Sequence, residues 1–248
     1  MLQALDDAAA GQWCRAAVAA LSAARDTIDE LNVFPVPDGD TGTNLLLTAY
    51  AAVEALERQG DAESAWIVLA RGAVLGARGN SGTILAQLLR GLADQLSGQP
   101  PADGPTLAAA LQKAADSAYA AVADPEEGTF LTVARSGAQA AVDAVAEGRT
   151  ELADVVHAAA DGARAALDAT PGQLAVLRDA GVVDAGGAGL SLILDALVTT
   201  VTGVEPARPA LGRRRAPTAP APRWRPPPVN WPSSGKRAWS TPAAPGSA

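Results

Sequence analysis

The chain contains very little cysteine and histidine, with one residue of each among 248. The single thiol, Cys14, excludes an internal disulfide and a cysteine-based metal cluster, and its position beside Trp13 in a helical pattern predicts a packed core residue. His157 lies in a helical pattern far along the chain from the glycine-rich loops. We therefore expect a surface or partly buried helix histidine rather than a catalytic one.

Long hydrophobic runs are also missing. No apolar run reaches about 18 residues without a charge or a glycine, so no membrane span is expected. The N-terminus opens with acidic residues and lacks the basic region of a signal peptide. These absences favour a cytoplasmic protein.

Lysine is nearly absent from the first 205 residues, where Lys113 stands alone. All 27 acidic residues lie in this part, whereas eight of the 19 Lys and Arg residues follow Pro206. A body this acidic binds nucleic acid poorly, because neutralising phosphates requires a clustered basic surface. We therefore expect no nucleic-acid partner.

The body has the composition and periodicity of a helical protein. Alanine dominates, β-branched and aromatic residues are sparse, and apolar residues recur at spacings of three and four. These features predict an all-α fold of eight or nine helices, with Asp61 and Thr106 as N-caps of two of them. The predicted helices cover residues 8–30, 44–58, 61–75, 81–97, 106–123, 129–146, 152–169, 171–179 and 189–200.

The composition changes sharply after about Val204, to proline, arginine, alanine, serine and tryptophan. So much proline prevents helices and central strands, and we expect residues 204–248 to be a disordered tail. The tail is either a basic arm for anionic partners or the translation of a GC-rich gene in a shifted frame. Both interpretations stay open.

The stretch "NVFPVPDGDTGTN", residues 32–44, combines two carboxylates with glycines and hydroxyls ahead of a helix. Asp38 and Asp40 are separated by one residue, so both can face one point, and oxygen ligands suit Mg²⁺ together with substrate phosphates. The spacing does not fit a calcium-binding EF-hand loop. The remaining alternative is a plain turn followed by a helix cap.

Two further glycine-rich turns precede helices. "GARGNSGT" offers Asn80 and Ser81 as cap candidates, and "VVDAGGAGL" places Asp184 before three glycines. Neither fits the phosphate-binding loop or the dinucleotide fingerprint. Three such turns suggest helix N-termini that converge on one ligand. With so little lysine nearby, a bound nucleotide would depend on divalent cations for charge neutralisation, which favours metal-dependent phosphoryl transfer.

Four segments over roughly residues 5–203 resemble the dihydroxyacetone-kinase L-subunit-like domain: "LNVFPVPDGDTGTN", "GARGNSGTILAQLLRGL", "EEGTFLTVAR" and "TPGQLAVLRDAGVVDAGGAGL". Within that family they look most like the N-terminal domain of the ATP-binding subunit of bacterial fatty acid kinase. The resemblance implies an antiparallel eight-helix bundle or barrel that binds Mg²⁺ and ATP or ADP at one end.

The resemblance also implies roles for individual residues. Asp38 and Asp40 would be the metal ligands and the catalytic residues. Asn32 stands near the position of a third aspartate in dihydroxyacetone-kinase subunits, where it would complete the metal shell or buttress it. The nucleotide-binding residues would be Thr41, Gly42, Thr43, Asn44, Gly79, Asn80, Ser81, Gly82, Thr129, Asp184 and Gly186.

The implied activity is ATP-dependent phosphorylation of an acyl carboxylate, presented by a lipid-binding partner protein, to give an acyl phosphate. A homodimer is a further implied assembly. This chain departs from the fatty acid kinase subunit, which continues well beyond the domain, because a Pro/Arg tail stands there instead. The alternatives are a nucleotide-binding module without turnover and a dihydroxyacetone (glycerone) kinase subunit.

Overall fold

The computed structural model describes residues 1–59 and 63–207, and within them the chain is all helical, as predicted. The nine helices are α1 Asp7–Leu31, α2 Thr41–Gln59, α3 Ala65–Gly76, α4 Gly79–Leu96, α5 Gly104–Ala120, α6 Phe130–Ala146, α7 Leu152–Gln173, α8 Ala175–Ala180 and α9 Ala185–Thr202. The N-cap predicted at Asp61 was wrong, because α3 begins at Ala65 and its N-cap residue is Ser64. The disorder predicted for residues 208–248 lies outside the described residues.

The helices pack as a closed antiparallel ring. Each helix from α1 to α7 packs on the next one along the chain, and α9 packs on both α7 and α1 to close the ring. The backbone N–H of Leu2 donates to the carbonyl of Val201 at 2.8 Å, so the start of the chain lies against the end of α9. The short helix α8 packs on α7 and leads into α9.

Helix α9, which closes the ring, is largely buried. It is the one helix in the described part of the chain with the length and hydropathy to cross a membrane, but 78% of it is buried inside the fold. The indole N–H of Trp13 donates to the Ile193 carbonyl at 2.8 Å, which ties α1 to α9 through the core. Cys14 is buried, and burial raises the pKa of its thiol to about 12, so it is a packed thiol as expected. His157 is exposed on α7.

Several predicted helix boundaries were wrong. Helix α2, for example, begins at Thr41 and not at Asn44, and three other differences have a local reason. Asp103, not Thr106, is the N-cap of α5, and its carboxylate accepts the Thr106 N–H at 2.9 Å. Helix α9 begins at Ala185, four residues earlier than predicted, because its glycines are buried in helix contacts rather than forming a breaker. Helix α7 continues through Pro171, and the Thr170 hydroxyl donates to the Leu167 carbonyl, which has lost its helical N–H donor to that proline.

The alternation of helix directions brings four helix N-termini to the same end of the ring. Helices α2, α4, α6 and α9 all begin there, next to the loops that precede them, and the site described below lies among these loops.

Candidate functional site

A cleft of about 410 Å³ opens among the starts of α2, α4, α6 and α9. Six of the residues predicted to bind a nucleotide line it: Thr41, Asn80, Ser81, Thr129, Asp184 and Gly186. These residues come from all three glycine-rich turns and from the segment that precedes α6. The predicted convergence of helix starts on one cavity is therefore what the structure shows.

The cleft has an apolar wall and an acidic rim. The apolar lining residues are Phe34, Pro35, Ile84, Ala121, Val122, Phe130 and Leu131. Asp124 and Glu126, both exposed, contribute carboxylates from the loop between α5 and α6. No lysine or arginine is among the described residues that line the cleft. The cavity therefore offers an apolar surface for a flat ring and no cation of its own for a phosphate.

The loop of residues 32–40 is held together by the buried side chain of Asn32. Its amide N–H group donates to the Val36 carbonyl at 2.7 Å and to a carboxylate oxygen of Asp38 at 3.0 Å. Its carbonyl oxygen accepts the hydroxyl of Thr41, the first residue of α2. Asn32 thus buttresses the loop in this structure.

Asp38 is exposed and Asp40 is half-buried, beside the turn that Gly39 makes with a positive φ of 69°. No group of three or more His, Cys, Asp and Glu side chains that could hold a metal ion occurs within residues 1–59 and 63–207. This loop supplies two carboxylates, which is the number that Mg²⁺ commonly takes from a protein when substrate phosphates and water complete its shell. The oxygen donors present therefore fit such an ion.

Asp38 and Asp40 are not among the residues that line the cleft. The predicted glycines Gly42, Gly79 and Gly82 do not line it either, because they lie in contacts between helices. Gly42 allows α2 to approach α1, since a Cβ atom there would lie 2.4 Å from the Arg25 carbonyl oxygen. A Cβ on Gly79 would lie 2.3 Å from the Asn44 side-chain nitrogen, and one on Gly82 would lie 2.2 Å from the Thr48 hydroxyl. Gly79 and Gly82 thus let the first turn of α4 pack directly on α2.

Asp29, near the end of α1, binds the first turn of α2. Its carboxylate accepts the backbone N–H of Thr43 at 3.0 Å and the Thr43 hydroxyl at 2.8 Å. Thr43 is therefore fully engaged with α1.

Asp184 likewise accepts backbone N–H groups, at the starts of two helices. As the N-cap of α9 it accepts the Gly187 N–H at 2.7 Å, and it also accepts backbone N–H groups of Gly186 and of Phe130, the first residue of α6. Burial raises the pKa of this carboxyl to about 6, and the three N–H donors only partly oppose that rise. The side chain crosslinks the starts of α6 and α9 at the floor of the cleft.

Among the described residues, α4 is the one helix start at the cleft where no carboxylate accepts a first-turn N–H group. Asp29 occupies the start of α2, and Asp184 occupies the starts of α6 and α9. The N-cap of α4 is Arg78, whose side chain makes no capping hydrogen bond, and Asn80 and Ser81 in its first turn face the cleft. Free N–H groups at a helix start favour an anion.

The sequence of this site matches a known family. A sequence model of the DAK2 domain matches residues 35–199, which is more than half of the chain. The chain belongs to the DAK2 domain family.

This DAK2 domain has bacterial relatives of greater length. Protein YloV of Bacillus subtilis is 41% identical over 185 residues, which are 74% of this chain and 33% of that protein. A Staphylococcus haemolyticus protein shows the same identity and coverage, and a Staphylococcus epidermidis protein is 40% identical over 185 residues. The chain spans about a third of the length of these relatives.

The fold of this DAK2 domain is that of a solved kinase structure. The native dihydroxyacetone kinase of C. freundii superposes with a TM-score of 0.59 and 18% identity, over 81% of this chain and 36% of that one. The same enzyme in complex with AMP-PNP and Mg²⁺ superposes with the same TM-score over 35% of its chain. At this identity the likeness establishes the shared fold.

Sequence reasoning overlooked Asp29 in this DAK2 domain. A carboxylate in the last turn of a helix opposes the helix dipole, which favours cations there. That unfavourable placement indicates that the side chain binds another element, and here it binds the first turn of α2.

Proposed function

We propose that this DAK2 domain binds ATP with Mg²⁺ and acts as a phosphoryl-transfer domain. The observation that supports the proposal best is the cleft itself, where four helix starts bring together Thr41, Asn80, Ser81, Thr129 and Asp184. A cavity of this size, with one apolar wall and a few convergent polar groups, is typical of a small-molecule site.

In this proposal the nucleobase packs on the apolar wall formed by residues such as Phe34, Ile84 and Phe130. The phosphates lie toward the start of α4, where the N–H groups and side chains of Asn80 and Ser81 donate to them. The hydroxyl of Thr129 donates to the Glu126 carbonyl at 2.7 Å, so this residue also fixes the acidic rim of the cleft.

Asp38 and Asp40 would hold Mg²⁺, with Asn32 orienting the Asp38 carboxylate by its hydrogen bond. When bound, the ion neutralises phosphate charge and polarises the phosphoryl group. Such an ion compensates for the absence of lysine and arginine among the described lining residues. The solved kinase with a similar fold was crystallised with AMP-PNP and Mg²⁺, which supports this part of the proposal.

The acceptor we favour is a fatty acyl carboxylate presented by a lipid-binding partner protein. Its oxygen attacks the γ-phosphorus, the bond from that phosphorus to the bridging β,γ-oxygen breaks, and acyl phosphate and ADP form. An ionised carboxylate has no proton to lose, so the reaction needs no histidine base, and His157 is not among the residues of the cleft. The chain functions here by positioning and charge stabilisation.

Nucleotide binding is tested by calorimetry with ATP in the presence of Mg²⁺ or EDTA. We expect Mg²⁺-dependent binding by the unaltered chain, and in Asp38→Asn and Asp40→Asn a loss of roughly tenfold or more in affinity, confined to the Mg²⁺ condition. Asp26→Asn is the matched control, because Asp26 is an exposed α1 carboxylate that pairs only with Arg25. Wild-type Mg²⁺-dependent affinity in both site variants would overturn the proposed metal loop.

The acceptor is tested separately, with labelled ATP and either a fatty-acid-loaded lipid-binding protein or dihydroxyacetone. We expect an acyl phosphate that hydroxylamine converts to a hydroxamate. Labelled dihydroxyacetone phosphate would instead identify a glycerone kinase. Binding without either product would favour a nucleotide-binding module without turnover.

A further inference from the structure

Four arginines lie at the end of the fold that carries the cleft, and three of them have a carboxylate partner. Arg25 pairs with Asp26 at 2.7 Å, and Arg178 pairs with Asp179 at 3.6 Å. Arg135 lies 3.8 Å from Glu127 and 4.7 Å above the ring of Tyr119. The remaining one is Arg78.

Arg78 is exposed, and its guanidinium has no hydrogen bond or ion pair with any residue that the structure describes. It stands at the N-cap of α4, next to the first-turn residues Asn80 and Ser81 that line the cleft. An arginine at this position is unfavourable for an isolated helix in two ways. N-caps prefer Ser, Thr, Asp, Asn or Gly, and a cation at a helix N-terminus opposes the dipole.

The backbone of Arg78 is fixed although its side chain is free. Its N–H donates to the Thr48 hydroxyl of α2 at 3.1 Å, and its carbonyl accepts the Gly82 N–H at 3.0 Å. On its C-terminal side, Gly79 adopts a positive φ of 56° against the Asn44 side chain. The side chain therefore extends from a fixed backbone two residues before Asn80, which lines the cleft, and no described residue restrains its guanidinium.

We propose that Arg78 is the cation that binds the terminal phosphates of the nucleotide. A phosphate at the start of α4 would reverse the unfavourable electrostatics of an arginine at that position, and the planar guanidinium can bind two phosphate oxygens at once. The inference rests on the proposed nucleotide-binding function. It adds a protein-borne positive charge to a cleft whose described lining residues include none.

Calorimetric titration of Arg78→Ala and Arg78→Lys with MgATP, MgADP and adenosine tests this role. We expect Arg78→Ala to weaken MgATP binding by about ten- to a hundredfold and to leave adenosine binding unchanged, because adenosine has no phosphate. Arg78→Lys keeps the charge but loses the bidentate contact with two phosphate oxygens. Its MgATP affinity should therefore lie between those of the unaltered chain and Arg78→Ala. The melting temperature of Arg78→Ala without nucleotide should equal or exceed that of the unaltered chain.

Arg90→Ala is the matched control, since Arg90 is an exposed arginine of α4 that lies twelve residues beyond Arg78, away from the helix start. Equal loss of adenosine and MgATP affinity in Arg78→Ala would overturn the inference, as would unchanged MgATP affinity. Unchanged MgATP affinity in Arg78→Ala, together with weakened binding in Asp40→Asn, would leave the proposed function intact and reject only the role of Arg78. Absence of any nucleotide binding by the unaltered chain would overturn both.

Discussion

A single buried carboxylate, Asp184, joins two helices at the floor of the cleft. It accepts N–H groups from α9 and from Phe130 of α6, which would otherwise be unsatisfied donors at two helix starts. Its own backbone N–H donates to the Thr170 hydroxyl at 3.1 Å, so α7 is joined to the same point. The cost of this arrangement is the desolvation of a charge, which raises its pKa from an ordinary 3.8 to about 6.

The raised pKa of Asp184 predicts a pH-dependent contribution to stability. Because the carboxyl binds its proton more tightly in the folded state, the favourable contribution is complete below about pH 4 and is lost as the pH rises through about 6. The amide side chain of the Asp184→Asn variant does not titrate. We therefore expect the free energy of unfolding of the unaltered chain, relative to that variant, to fall by roughly 2–3 kcal/mol between about pH 4 and pH 7.5. Urea unfolding at a series of pH values measures this difference.

Asp103 provides a control, because its contribution to stability should change with pH in the opposite direction. Hydrogen bonds from Thr106 lower the pKa of its exposed carboxyl, so its contribution is present above the unfolded-state pKa and is lost as the pH falls. Asp103→Asn should therefore match the unaltered chain better at low pH than at neutral pH. A difference between the unaltered chain and Asp184→Asn that does not vary with pH would contradict the buried ionised carboxylate.

At the scale of helices, the first turn of α4 packs closely on α2 beside the cleft-lining residues Asn80 and Ser81. Gly82 is buried in this contact, and a Cβ atom on it would lie 2.2 Å from the Thr48 hydroxyl oxygen that accepts the Arg78 N–H. We expect Gly82→Ala to lower the free energy of unfolding by about 1–3 kcal/mol, because the added methyl group must push the two helices apart. Chemical denaturation measures the change.

Gly172 provides the comparison, since it also lies within a helix, α7, but a Cβ atom there meets nothing within 4 Å. Gly172→Ala should be neutral or stabilising by up to about 1 kcal/mol, through the higher helix propensity of alanine. If Gly82→Ala were as well tolerated as Gly172→Ala, the tight α2–α4 contact would be wrong.

The helices were largely predictable from the sequence, because apolar residues at spacings of three and four directly mark a buried helix face. Helix boundaries were harder to predict at glycine and proline, because each occurs both at helix ends and inside helices. The glycines after Asp184 read as a breaker, yet they are helical residues that allow close contacts with Phe130 and Val133. Pro171 read as the start of a new helix, yet the Thr170 hydroxyl compensates for the missing hydrogen bond. The glycine contacts depend on residues of another helix, which a local sequence pattern does not reveal.

The location of the candidate site was predictable from the sequence, but the structural role of each predicted residue was not. Thr41, Asn80, Ser81 and Asp184 were correctly expected to meet. That Gly42, Gly79 and Gly82 serve helix contacts could not be read from loops alone, since glycine also permits close approach to a ligand. Asp29 escaped notice because Thr43, its partner, lies 14 residues away in sequence.

At the scale of the molecule, the ring closes within the described residues. Helix α9 fills the gap between α7 and α1, and the backbone bond from Leu2 to Val201 joins the two ends of the fold. Leu5 and Ala102, both buried, form an antiparallel bridge beside that junction. The cleft lies at the opposite end, where α9 begins, so the last residue of α9, Thr202, lies far from it in space.

This geometry predicts that a chain ending at residue 207 is a complete folding unit. We expect its melting temperature and its MgATP affinity to equal those of the 248-residue chain, because ring closure and the cleft both lie within residues 1–207. Differential scanning calorimetry and nucleotide titration of the two chains make the comparison. Removal of residues 1–5 instead should lower the melting temperature, since it deletes the Leu2–Val201 bond and the buried Leu5 side chain. A shortened chain that melts several degrees lower, or binds nucleotide more weakly, would show that residues after 207 contribute to the ring or to the site.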